Sequence, residues 1–128
     1  MRLLSVEWIG LYVFWVPRLN KDRVGSGYSI ELDMHPYGAC YHDLTERLST
    51  GVMEFLQVRG IHCVIVGGLA TEYCVKTTAL QLRRAGFDVV VNLAACRGLD
   101  PIAIQAAIKE MKALGIAFVV TASEFMLP

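Results

Sequence analysis

The residues with the clearest chemical potential lie where a short apolar run is followed by two glycines and a helix. Residues 64–66 are β-branched and too few for a buried helix, so they predict an interior strand of a parallel sheet. Gly67 and Gly68 allow a sharp turn after that strand. Thr71 is a favourable N-cap, which places Cys74 in the first turn of the helix that follows.

A cysteine at this position has the surroundings of a nucleophile. The positive end of the helix dipole stabilises a thiolate, and free backbone N–H groups of the same turn can bind an oxyanion. This pattern predicts that the pKa of Cys74 is lowered. The alternative is a buried, inert thiol, since cysteine is among the most buried residue types.

Strands and helices alternate around this turn. The pattern predicts strands over 5–16, 61–66, 87–93 and 116–121, and helices over 45–59, 72–85 and from Pro101 to before Gly115. The helix over 45–59 is predicted to bury Leu48, Val52, Phe55 and Leu56. Such alternation is typical of an α/β fold with a parallel sheet flanked by helices, and ligands bind outside the carboxyl ends of its strands.

Length and composition limit the classes of function. The 128 residues predict one domain, and the balance of 12 basic and 12 acidic residues predicts neither a nucleic-acid nor a membrane partner. No apolar run approaches the roughly 18 residues of a spanning helix. The four cysteines are widely spaced and fit neither a zinc module nor a disulfide framework, so we expect a reducing cytoplasm.

The segment from Gly68 to Leu80, Gly-Leu-Ala-Thr-Glu-Tyr-Cys-Val-Lys-Thr-Thr-Ala-Leu, resembles the active-cysteine segment of the nicotinamidases, which are isochorismatase-like cysteine hydrolases. The resemblance continues through residues 50–51, 55–61, 86–91, 95–98 and 110–115. It implies a three-layer, Rossmann-like fold in a single domain over 1–128. Residues 44–128 form its family-like core, and residues 1–43 form an atypical, truncated N-terminal part.

The resemblance also implies roles for individual residues. Cys74 would attack an amide carbonyl, and the backbone N–H groups of Ala70 and Cys74 would bind the oxyanion. The peptide bond between Leu69 and Ala70 would be cis. Leu69, Tyr73 and Tyr37 would bind the substrate, because residues 37–41 resemble an aromatic-rich segment of the family.

Two catalytic positions of the family are not matched directly. Its first strand ends in an aspartate, whereas the strand predicted over 5–16 has no carboxylate at its end. Its lysine follows a strand and precedes the aromatic-rich segment, and counting back at the usual spacing reaches Tyr28. Lys21 follows a strand across a longer loop and is the expected catalytic lysine; the alternative is an exposed loop lysine.

A second alignment concerns a metal. Asp33-Met-His-Pro36 resembles the Asp-Trp-His-Pro metal box of the family, which implies that Asp33, His35 and His42 bind a divalent, zinc-type ion. This alignment competes with that of Lys21, because the box precedes the lysine strand in the family. The alternative is a polar loop with solvent-facing histidines. No organic cofactor is implied.

The resemblance implies hydrolysis of nicotinamide to nicotinate and ammonia through a cysteine thioester. One alternative is a related hydrolase acting on another small amide or vinyl ether, and another is a non-catalytic or weakly active module. Because the acid/base partner is unmatched, we expect slow turnover by this chain. A small-molecule amide is the expected substrate. An uncovered sheet edge predicts a homo-oligomer, or pairing of that edge by residues 5–16.

Overall fold

The structure is a computed structural model that describes residues 12–15, as backbone, and residues 37–120. Its strands are β1 (Tyr12–Trp15), β2 (Cys63–Leu69), β3 (Asp88–Arg97) and β4 (Ala117–Val119). Its helices are α1 (Val52–Val58), α2 (Lys76–Arg84) and α3 (Pro101–Ala113), and a π-helical turn, Thr71–Val75, leads into α2. The strands form one parallel sheet in the order β1-β2-β3-β4, so the predicted α/β fold is confirmed.

The two middle strands form the centre of the core. β2 pairs with β1 on one side, where Tyr12 lies opposite Ile65, and with β3 on the other, where Val64 lies opposite Val89. Side chains at consecutive positions of both strands are buried, as expected for a parallel sheet covered on both faces. The fully or almost fully buried side chains of these strands and of the helices that cover them are Leu56, Val64, Val66, Val75, Ala79, Leu82, Val89, Val91, Ala107 and Met111.

The two glycines lie inside β2, and the strand ends three residues later than predicted. Gly68 has a φ of 140°, and the pairing with β3 shifts register between Val66 and Gly68. At Gly67 the neighbouring strand approaches closely: a Cβ there would lie 2.9 Å from the Cβ of Ala95 and 3.3 Å from its carbonyl oxygen. Gly67 therefore permits this close strand approach, Gly68 adopts a positive φ at the register shift, and the chain turns only after Leu69.

We predict that Gly67→Ala destabilises the protein by about 1–3 kcal/mol, because the added methyl group would overlap Ala95 across the strands. Urea denaturation followed by circular dichroism measures this change in the free energy of unfolding. The double variant Gly67→Ala/Ala95→Gly removes the Cβ–Cβ overlap and should recover part of the loss. Equal stability of Gly67→Ala and the unchanged protein would contradict the prediction.

The first described helix is shorter than the predicted one. It begins at Val52 because Gly51, at the N-cap, has a φ of 92° and separates it from the preceding residues. Those residues form a loop around Asp43, whose carboxylate accepts hydrogen bonds from the backbone N–H groups of Arg47 at 3.0 Å and Leu48 at 2.8 Å. The side chain of Asp43 thus competes with helix formation.

This later start changes which face of α1 is buried. Met53 and Leu56 point into the core, whereas Leu48 and Phe55 are 57% and 52% exposed. The predicted burial is therefore right at Leu56 and wrong at Leu48 and Phe55. Leu48 lies outside the helix altogether, in the loop around Asp43.

The other helices agree with the sequence pattern. Val75, Ala79 and Leu82 are buried as predicted. Asp100 caps α3, since its Oδ1 accepts a hydrogen bond of 3.0 Å from the N–H of Ile102, and Pro101 takes the first helical position. Among the described residues, no helix combines the length and hydropathy needed to cross a bilayer.

The side chain of Arg83 connects three elements at the end of the sheet where β3 begins. The guanidinium of Arg83, in the last turn of α2, donates to the carbonyl oxygens of Leu114 at 3.0 Å and Phe87 at 3.2 Å. It also forms a 3.2 Å ion pair with Asp88 at the start of β3. Arg83 therefore fixes the ends of α2 and α3 to the first residue of β3.

Two core cysteines make the free energy of unfolding depend on pH in the alkaline range. Burial raises the pKa of the Cys40 thiol from 9.0 to about 12 and that of Cys63 to about 11. Nearby carboxylates add to this effect, Glu46 and Glu54 at Cys40 and Asp88 at Cys63. The folded state therefore retains thiol protons that the unfolded chain has already lost.

We predict that the free energy of unfolding falls as pH rises from about 9 to 12, because the native state then binds more protons than the unfolded state. Each cysteine contributes a slope of up to about 1.4 kcal/mol per pH unit. Below pH 9 both states hold the proton and the contribution is constant. Urea titrations at several pH values should give a shallower slope for Cys40→Ala; an identical slope would contradict the assignment.

Candidate active site

The cysteine turn begins directly at the carboxyl end of β2. Leu69 is the last residue of the strand, and the peptide bond between Leu69 and Ala70 is cis, as the resemblance implies. Ala70 is extended, with φ −95° and ψ 148°, and its carbonyl oxygen accepts hydrogen bonds of 3.1 Å from the N–H groups of Tyr73 and Val75. These bonds close the π-helical turn that carries Cys74.

Thr71 does not cap this helix, contrary to the prediction. The N-cap position is Ala70, which makes no side-chain capping bond, and Thr71 is buried within the turn. The physical reason is that the chain enters helical geometry one residue earlier than the strand–glycine pattern indicates. Cys74 still lies in the first turn, where it was expected.

The thiol of Cys74 is buried, with 7% of the residue exposed. Burial raises its pKa, and a hydrogen bond from the backbone N–H of Ala70 opposes this rise. The predicted lowering of the pKa is therefore wrong, because loss of hydration outweighs the favourable backbone dipoles. At neutral pH the sulfur carries its proton, so it can act as a nucleophile only if a base removes that proton.

The structure brings together two of the predicted substrate-binding side chains. The rings of Tyr37 and Tyr73 lie 5.4 Å apart between centroids, at an angle of 39°. They are 42% and 44% exposed, so both rings present a face to solvent next to the cysteine turn. Leu69 is also exposed, at the carboxyl end of β2. Tyr37 and Tyr73 thus form an exposed aromatic surface, and Cys74 directly follows Tyr73 in the sequence.

The buried carboxylate of Glu72 supports the cysteine turn, and the sequence pattern did not identify this residue. Glu72 is buried, and its carboxylate accepts a hydrogen bond from the backbone N–H of Leu99, at 2.9 Å and 3.2 Å from its two oxygens. Gly98 leaves the space for this carboxylate, since a Cβ there would overlap it. Glu72 thereby ties the cysteine turn to the start of α3. Its only sequence signal is its position two residues before Cys74.

Arg97 places a positive charge at the same edge of the sheet. It is the register partner of Leu69, and its guanidinium donates to the carbonyl oxygen of Cys96 at 2.6 Å. The thiol of Cys96 is buried, which raises its pKa, while the N–H of Gly68 and the charge of Arg97 oppose the rise. Gly68 of β2 and Arg97 of β3 thus both act on the thiol of Cys96.

The other predicted site residues are Lys21, Asp33, His35 and His42. Lys21, Asp33 and His35 lie outside the described residues, so their roles stay predictions. His42 is exposed, and its backbone N–H donates to the carbonyl of Leu48 at 2.8 Å. Within residues 37–120 no group of three or more His, Cys, Asp or Glu side chains is arranged to hold a metal ion.

A protein-family model and curated relatives both match this chain. The model of the isochorismatase domain family matches residues 32–124, which is more than half of the chain. A nicotinamidase of Acinetobacter baylyi is 31% identical over 94 residues, covering 73% of this chain and 42% of that protein. The chain therefore spans about two fifths of the length of the curated relatives it matches.

Solved structures show the same similarity. The yeast nicotinamidase Pnc1p bound to the inhibitor nicotinaldehyde superposes with a TM-score of 0.62 and 30% identity, over 66% of this chain and 40% of that one. The pyrazinamidase of Pyrococcus horikoshii in complex with zinc superposes with a TM-score of 0.53 and 38% identity, over 54% of this chain and 38% of that one.

Proposed function

This chain belongs to the isochorismatase family, and on that premise we propose that it hydrolyses nicotinamide to nicotinate and ammonia. The observation that carries the proposal is the position of Cys74 in the π-helical turn that directly follows the carboxyl end of β2. It puts a cysteine among the backbone N–H groups at a helix N-terminus, which is an arrangement that acyl-transfer nucleophiles use. The nicotinamidase relatives supply the substrate class.

In the proposed reaction, a base takes the proton of Cys74 and the sulfur attacks the amide carbonyl carbon. The new C–S bond leaves a negative charge on the carbonyl oxygen, which the N–H groups of Ala70 and Cys74 stabilise. The C–N bond then breaks, and the nitrogen leaves as ammonia after receiving a proton. Water attacks the thioester carbon, the C–S bond breaks, and nicotinate and the thiol are released.

The raised pKa of Cys74 makes the proton acceptor essential to this scheme. Acid/base groups typically contribute about 10²–10⁴-fold to such reactions. We propose Lys21 as the group that protonates the leaving ammonia, following the family resemblance.

The pyridine ring is proposed to lie against the rings of Tyr37 and Tyr73, with Leu69 as a further contact. Aromatic rings prefer tilted or offset neighbours at centroid distances of about 4.5–7 Å. The pair of tyrosines already has this geometry and leaves ring faces exposed. A flat, uncharged aromatic amide fits such a surface better than an aliphatic one.

The second alignment, which competes with the assignment of Lys21, instead proposes a divalent ion at Asp33, His35 and His42. A carboxylate and two imidazoles suit zinc, and the zinc complex of the Pyrococcus pyrazinamidase supports a metal in the family. The exposed position of His42 leaves its ring accessible for coordination. Such an ion would orient the ring nitrogen of the substrate.

The test is ammonia release by the purified chain from nicotinamide, pyrazinamide and benzamide. We expect hydrolysis of nicotinamide, with benzamide poorer because it lacks the ring nitrogen. Hydrolysis of other small amides without nicotinamide would favour a related hydrolase instead. No ammonia from any of them would contradict the proposal and favour a binding module.

A further inference from the structure

Two buried polar side chains of α2 lie beneath the segment that carries Tyr37. The hydroxyl of Thr78 accepts a 3.1 Å hydrogen bond from the backbone N–H of Ala39. The side-chain oxygen of Gln81 accepts a 3.2 Å bond from the N–H of Cys40. Thr78 and Gln81 are three residues apart and so share one helix face, and each is 2% exposed.

Gln81 makes further contacts with the same segment. Its amide nitrogen donates to the carboxylate of Glu46 at 3.2 Å. Gly38 lies directly on the Gln81 amide, because a Cβ at that position would overlap all three atoms of the amide head. A buried amide is costly unless its hydrogen bonds are made, so these contacts define one position for the backbone of residues 38–40.

This position determines where the adjacent ring lies. Tyr37 directly precedes Gly38, and its ring contacts that of Tyr73 at 5.4 Å. Tyr73 is the neighbour of Cys74 in the turn. The polar face of α2 therefore connects, through two backbone hydrogen bonds, to the aromatic surface beside the proposed nucleophile.

We infer that Thr78 and Gln81 are positioning residues of the substrate site, which hold Tyr37 against Tyr73 so that the two rings form a preorganised surface for an aromatic amide. The inference rests on the proposed function for the identity of that ligand. Neither residue is required to touch the substrate or the reacting atoms. Their removal should therefore weaken substrate binding and leave the chemical step intact.

The kinetic test uses Thr78→Val and Gln81→Leu, with Thr77→Val as the matched control on the same helix. We expect the KM for nicotinamide to rise roughly two- to tenfold in the first two variants, the range expected for one displaced aromatic contact, at nearly constant kcat. Thr78→Ser keeps the hydroxyl and should retain the original KM. In a Tyr37→Ala background, Gln81→Leu should add no further increase.

A second readout does not depend on activity. Nuclear Overhauser contacts between the rings of Tyr37 and Tyr73 should be present in the unchanged protein and in Thr77→Val, and lost in Thr78→Val and Gln81→Leu. Retained ring contacts, an unchanged KM, or additive effects with Tyr37→Ala would overturn the inference. If the unchanged protein releases no ammonia, the proposed function fails, and the ring contacts alone decide the positioning role.

Discussion

Cys74→Ala is expected to abolish ammonia release from nicotinamide, with a loss in kcat on the order of 10⁴- to 10⁶-fold. Without the sulfur no thioester forms, and the backbone donors of the turn can assist only direct attack by water. The measurement is a coupled ammonia assay, with circular dichroism to show that the variant is folded. A rate within tenfold of the unchanged protein would remove Cys74 from the mechanism.

Cys63→Ala is the matched control for this variant. Cys63 is also buried. It is the first residue of β2, so it lies at the end of the strand opposite to the cysteine turn. Its loss should lower stability and leave kcat nearly unchanged. If both variants lost activity equally, the effect would reflect general damage to the core and not the chemistry of Cys74.

Ala70→Pro is expected to lower kcat by about 10²–10³-fold, the range typical of losing one oxyanion donor. Proline removes the backbone N–H at a position close to its preferred geometry: Ala70 is extended with φ −95°, about 30° from the proline value, and Leu69 before it lies in a strand. The same N–H also donates to Cys74. Its loss should therefore raise the pKa of that thiol further.

Ala70→Gly keeps the N–H and is the control for this experiment. The rate of iodoacetamide alkylation of Cys74, followed by mass spectrometry from pH 7 to 10, measures its pKa in each variant. We expect the profile of Ala70→Pro to move to higher pH and that of Ala70→Gly to stay close to the original. Full activity of Ala70→Pro would exclude the Ala70 N–H as an oxyanion donor.

The features predicted from sequence are those set by local chemistry. The β-branched run of β2, the Asp100–Pro101 cap of α3 and the position of Cys74 after the glycines each depend on neighbouring residues only. The family resemblance also predicted the cis peptide bond between Leu69 and Ala70.

The features that the sequence did not predict depend on contacts beyond the immediate neighbours in the chain. The pKa of Cys74 follows from burial by the whole core, which outweighs the helix terminus that a local pattern detects. The late start of α1 follows from bonds that the Asp43 carboxylate makes four and five residues ahead. The support from Glu72 requires Leu99, which is distant in sequence and adjacent only after β3 has formed.

The order of strands in the sheet also has a consequence for folding kinetics. β2, β3 and β4 are neighbours in space in the same order as in the chain, and each pair is joined by one helix. These pairings close short segments, so they can form early and add one at a time as the chain emerges from the ribosome. The pairing of β1 with β2 must close the much longer connection over residues 16–62. Its larger loop-closure entropy favours its formation after the other two pairings.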